Sequence, residues 1–244
     1  MGILSKALAA GFAGALMIGA ANAATVTFNF TGTAPTDLPT GNFTTGGSCD
    51  GFAVSGGDYC SDDNAAGLTY SKGGISLTAV GFGGPVGQVS AQTLIQDIQP
   101  PISGLGVLTA GEVAADDQVQ IDANEYIEFT STGGPVTLLG IDFNRGDDVN
   151  CGAVGSDGGE GPCGTFALFV DGSMIAALAG NAVDNLVFAG ITGTIFRIVA
   201  TGPEGAGFAI ASLTFNEVPI PGAALLLLSG LAGLGFAGRR KARA

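Results

Sequence analysis

Between residues 24 and 217 the apolar side chains come in short runs of strand length, each closed by glycine, proline, serine or an acidic turn. The first run sets the pattern, with Val26, Phe28 and Phe30 on one parity and Thr25, Thr27, Asn29 and Thr31 on the other. Side chains that alternate with period two describe a half-buried strand. Further runs follow at 68–70, 75–82, 86–95, 105–108, 126–130, 135–143, 165–170, 173–179, 186–189, 194–200 and 208–215, and none carries a helical apolar stripe. Residues 33–47 and 96–106, rich in proline, glycine and serine, read as connections, and Asp171-Gly172 as the turn of a hairpin. With most of the chain's 43 glycines falling among them, these strands predict an all-β fold. Its expected form is one antiparallel β-sandwich of jelly-roll type.

The two ends obey different rules. Lys6, the apolar stretch 7–21 and Ala21-Asn22-Ala23 form a signal peptide with an Ala-x-Ala site, so residues 1–23 are expected to be removed and the mature chain to begin at Ala24. At the other end Val218-Pro219-Ile220-Pro221 leads into residues 222–238, which carry no charge, and then Arg239, Arg240, Lys241 and Arg243. As a helix that apolar segment would span roughly 25 Å, enough to cross a bilayer with its flanks, and the basic cluster would stay cytoplasmic. Pro219 and Pro221 hold the preceding residues extended. The chain thus divides into 1–23, a secreted domain at 24–217, and a tail at 218–244.

A Val-Pro-x-Pro box, one apolar helix and a terminal basic cluster resemble the VPLPA-CTERM sorting signal, a branch of the PEP-CTERM family. The resemblance covers the tail alone, and departs from it at Ile220 and Gly222. It implies export through the Sec translocon, a membrane-held intermediate, and cutting near Val218–Gly222 by an exosortase. It further implies release to the surface of a Gram-negative bacterium, with extracellular polysaccharide as an associated partner. An ordinary anchor that is never cut is the alternative. Residues 104–107, 122–125 and 135–139 also resemble the body of secreted proteins of this type, which are similar to galactose-binding-like modules.

Charge narrows the choices for the domain. Residues 24–217 hold Lys72, Arg145 and Arg197 against all 21 acids, which is 3 minus 21, or −18. Such a charge repels nucleic acid and anionic lipid surfaces, keeps an exported protein soluble and attracts divalent cations. The chain has no histidine and no tryptophan, which removes Ser-His-Asp and Cys-His catalysis, imidazole metal ligation and a tryptophan platform for sugars. A glycosidase would need paired carboxylates in an aromatic cleft, and the aromatic share is 7%.

Four cysteines in an oxidising compartment point to disulfides, with local pairing expected, Cys49 to Cys60 and Cys151 to Cys163. Each would contribute on the order of 3 kcal/mol. Zinc is the rival, but short Cys-x-x-Cys pairs are missing. Arg145-Gly146-Asp147 is too short a run to argue adhesion. Two acidic loops have the hard oxygen ligands that calcium takes: Asp116, Asp117, Asp122, Asn124 and Glu125, and Asp142, Asn144, Asp147, Asp148 and Asn150. Neither fits the EF-hand or RTX spacing, and solvated loops in so acidic a chain give the same clusters. Glu125 shares its parity with Ile127 and Phe129, so its carboxylate starts on the apolar face and needs a partner, for which Arg145 and Arg197 are candidates.

The expected function is a non-enzymatic, exported surface or extracellular-matrix protein that needs no cofactor. Its alternatives are a calcium-dependent, carbohydrate-binding adhesin module, for which a melting temperature sensitive to chelator would speak, and an uncleaved membrane-anchored envelope protein.

Overall fold

Alternation becomes strand wherever one parity has a core to enter. A computed structural model describes residues 24–31, 37–39, 59–61, 67–83, 90–97, 104–108, 120–144, 163–175, 180–183, 185–202 and 207–218. These form fourteen strands: β1 Thr25–Asn29, β2 Tyr59–Ser61, β3 Leu68–Lys72, β4 Ile75–Gly83, β5 Ser90–Asp97, β6 Leu105–Leu108, β7 Tyr126–Ser131, β8 Val136–Asn144, β9 Thr165–Val170, β10 Ser173–Met174, β11 Gly180–Asn181, β12 Leu186–Gly193, β13 Ile195–Ala200 and β14 Ala209–Glu217. No helix occurs among the described residues, and every strand pairing among them is antiparallel. Ala23–Val218 makes one compact unit.

Hydrogen bonding runs continuously in the order β10-β9-β13-β7-β4-β5-β6-β14-β8-β12, with β1, β2, β3 and β11 branching from it. The path folds at β5, whose first residues pair with β4 (Phe82↔Ala91) and whose later ones pair with β6 (Leu94↔Val107). On one side of the fold lie β9, β13, β7, β4 and β3, and on the other β12, β8, β14, β1 and β6. Their inward rings meet: Phe143 of β8 lies 4.8 Å from Phe166 of β9, and Phe215 of β14 lies 5.5 Å from Phe196 of β13. Phe30, just after β1, packs edge-on against Tyr70 of β3 at 4.9 Å. Two sheet halves facing across an aromatic core are consistent with a β-sandwich.

Two tight hairpins show why the turn residues matter. β3 and β4 are joined by Gly73-Gly74 and β9 and β10 by Asp171-Gly172, with all four residues at positive φ, the primed turn whose twist matches the strands. Asp171 is the costly member of this set, and its Oδ1 accepts from the amides of Thr194 and Ile195 at 3.1 and 2.9 Å. The side chain that tolerates the turn therefore also ties it to the start of β13.

Several strand limits differ from the expected ones. The short strands β2 and β11 carry too few residues to show a period, and Gln96, expected in a connection, belongs to β5. Gln96 is fully buried. Its Oε1 accepts from Tyr70 Oη at 3.0 Å, and its Nε2 donates to the carbonyls of Phe30 and Asp37 at 3.1 and 3.0 Å. A polar residue at a strand end reads as loop when its buried partners come from distant segments.

Candidate functional site

The first acidic loop resolves into a turn. Asp122, Ala123, Asn124 and Glu125 close a β-turn in which the Glu125 amide donates to the Asp122 carbonyl at 2.9 Å, with Asn124 at φ 69°. Asparagine tolerates that left-handed position, which most side chains avoid. The Glu125 carboxylate answers in the reverse direction, its Oε2 accepting from the Asp122 amide at 2.8 Å. Glu125 is 3% exposed on the parity of Ile127 and Phe129, as the sequence requires. Arg197, one of its two candidate partners, donates instead to Glu128; Arg145, the other, lies outside the described residues. From the second loop, Asp142 sits on β8 and its Oδ1 accepts from the Asn185 amide at 3.1 Å, while Asn144 ends β8, buried. Asp116, Asp117, Asp147, Asp148 and Asn150 lie outside the described residues. Among the described residues no group of three or more Cys, Asp or Glu stands together in a way that could hold a metal ion.

Cys163 is buried and disulfide-bonded. Cys49, Cys151 and the side chain of Cys60 lie outside the described residues, as do Ala21, Ala23, Pro219, Ile220, Pro221, Gly222, Arg239, Arg240, Lys241 and Arg243. Of the boundary residues that are described, Ala24 precedes β1 and Val218 follows β14, and the Glu217 amide, one residue before Val218, donates to the Ala24 carbonyl at 3.4 Å. In that ladder Thr25 stands opposite Asn216.

A feature the sequence did not single out lies on the outer face of β4, β7, β13 and β9. Registry places Val80, Glu128, Arg197, Phe169 and Met174 in one cross-strand row, and Ala91, Phe82, Tyr126, Val199 and Ala167 in the next. Phe82 and Tyr126 stack with ring centroids 4.7 Å apart and planes 13° from parallel. From the strand on the other side, the Arg197 guanidinium lies 4.6 Å from the Tyr126 centroid, a cation–π contact. Arg197 Nη2 and Nε donate to Glu128 Oε2 at 2.6 and 3.2 Å. Burial raises the Tyr126 phenol above its usual range, and of its charged neighbours Arg197 opposes the rise while Glu128 adds to it.

This face also stands apart electrically. Strands β4, β7, β9 and β13 contain only Glu128 and Arg197 as charged residues, a net of zero within a domain at −18. The sequence signal for it was the outward parity of Tyr126 and Glu128; what could not be seen was that Phe82 and Arg197 flank them. The arrangement offers rings, aliphatic side chains and one internal ion pair, which suits contact with a partner.

No protein-family model, curated protein or solved structure matches the chain.

Proposed function

We propose that the chain is an exported, non-catalytic surface or extracellular-matrix protein, carried out by its signal peptide and processed by an exosortase at Val218–Gly222. The observation that carries this reading is the bond from the Glu217 amide to the Ala24 carbonyl, which closes one end of the β1–β14 ladder next to Val218. The compact unit, Ala23–Val218, begins and ends within one residue of the limits that the targeting segments set. A domain so bounded loses nothing of its sheet when both segments are cut away. The antiparallel halves and their aromatic core support the finer assignment to a jelly-roll, galactose-binding-like sandwich.

In this account the Sec translocon and the exosortase are partners of the precursor only, and extracellular polysaccharide is the surroundings of the released domain. Pro219 lacks an amide proton and fixes its φ, so the strand stops where the box starts. The test is to replace Pro219 and Pro221 by alanine in the host bacterium and follow the protein by membrane fractionation. Retention of the variant in the membrane, with the parent released, is the expected outcome. Release of both at the same rate would refute the assignment of the box.

A further inference from the structure

We infer that the outer face of β4, β7, β13 and β9 is an interface for a second copy of this chain, with the two copies related by a two-fold axis near Arg197 and Glu128. This goes beyond the proposed export and sorting, and stands whether or not the tail is cut.

The face has the composition of a contact surface. Interfaces are enriched in aromatic residues, methionine and arginine and depleted in lysine and acids, and Phe82, Tyr126, Phe169, Met174 and Arg197 stand together here. Met174 is 53% exposed and Ile195, one step along β13 from the Arg197 row, is 36% exposed. Apolar groups on so acidic a domain keep water contact unless something covers them.

Charge selects the occupant. Every acid but Glu128 is kept off these strands, with Asp171 at their margin beside Ile195, so a partner meets a field far less negative there than over the rest of the domain. Arg197 and Glu128 are cross-strand neighbours. A two-fold axis between them sets each arginine against the other copy's glutamate, so the face is complementary to itself. A polyanion is repelled by the −18 of the domain. A stacking sugar finds neither face of Tyr126 open, because Phe82 takes one and Arg197 the other.

Two bodies of this charge repel at long range, and the repulsion reaches across roughly 30 Å at about 10 mM salt but only about 8 Å at 150 mM. Association is therefore expected to tighten as salt rises, opposite to a contact driven mainly by ion pairs.

The test is sedimentation velocity on the full chain in a neutral, density-matched detergent at about 10 and 150 mM NaCl. The expected result is a dimer that is tighter at the higher salt. Met174→Glu and Ile195→Glu should each weaken it by roughly tenfold or more. Arg197→Glu should abolish it, and adding Glu128→Arg to that variant should restore it. Val187→Glu, at a position 80% exposed on β12, should leave it unchanged. Circular dichroism checks that each variant is folded. Monomers at both salt concentrations would overturn the inference, as would a monomer that takes up a glycan or another protein on this face. Association that survives both Met174→Glu and Ile195→Glu would assign the contact to another part of the chain and overturn it equally.

Discussion

Replacing Gln96 by leucine keeps its volume and removes a polar node that ties three segments of chain together. Gln96 accepts from Tyr70 Oη and donates to the carbonyls of Phe30 and Asp37, at 3.0, 3.1 and 3.0 Å. Tyr70 and Gln96 are fully buried, and the bond to Phe30 is buried as well. A buried group left without its partner costs about 1–3 kcal/mol. With Tyr70 Oη and the Phe30 carbonyl stranded, and the Asp37 carbonyl counted for less because it is only part-buried, Gln96→Leu should destabilise by roughly 3–5 kcal/mol. For a domain of this size each kcal/mol moves the melting temperature by about 2–4 °C. Tyr70→Phe strands only Gln96 Oε1 and should cost about 1–2 kcal/mol. The double variant should cost less than the sum by about 1 kcal/mol, since both changes break the same bond. Urea unfolding followed by far-ultraviolet circular dichroism, with disulfides intact, gives all three numbers. A cost for Gln96→Leu below about 1 kcal/mol, or strict additivity of the pair, would refute the node.

Four further outcomes follow from the same structure. Burial raises the Tyr70 hydroxyl well above its usual value near 10. A raised folded-state pKa means the folded protein holds a proton that the unfolded chain has lost, so stability is complete below pH 10 and falls above it, by about 1.4 kcal/mol per pH unit, until the folded pKa is reached; Tyr70→Phe should flatten that alkaline slope. Asp171→Ala removes the carboxylate oxygen that accepts from two amides and puts alanine at φ 48°, and should cost about 1–3 kcal/mol in urea unfolding, with Asp171→Asn costing less. Lys72 Nζ donates to Asp37 Oδ2 at 2.6 Å and to the Thr27 carbonyl at 2.8 Å, but its side chain is 38% exposed, so Lys72→Met should cost under about 1 kcal/mol and less at high salt. Phe143→Ala empties a site where Phe166 and Phe208 converge and should cost about 3–5 kcal/mol by the same assay.

What the sequence made legible was local. The alternation at 25–29 and 75–83, the hairpin around Asp171-Gly172 and the inward parity of Glu125 follow from period and turn chemistry, which act between near neighbours. Gln96 reads as part of a connection because its partners lie on Tyr70, Phe30 and Asp37, far away along the chain. Glu125 accepts from the Asp122 amide three residues back, a local bond, while Arg197 pairs with Glu128 in the neighbouring strand. The second choice is not visible until β7 and β13 are known to pair. The Phe82–Tyr126–Arg197 stack needs three strands side by side, and strand order is set by packing of the whole core. Short strands such as β2 and β11 have too little sequence to announce themselves.

The most direct test of the export and sorting account is the intact mass of the protein recovered from the medium and surface of its own bacterium. The account predicts a chain that begins at Ala24 and ends between Val218 and Gly222, with its disulfides intact. A mass that still included Arg239, Arg240, Lys241 and Arg243 would contradict it, and would make the chain an envelope protein held by an uncut tail.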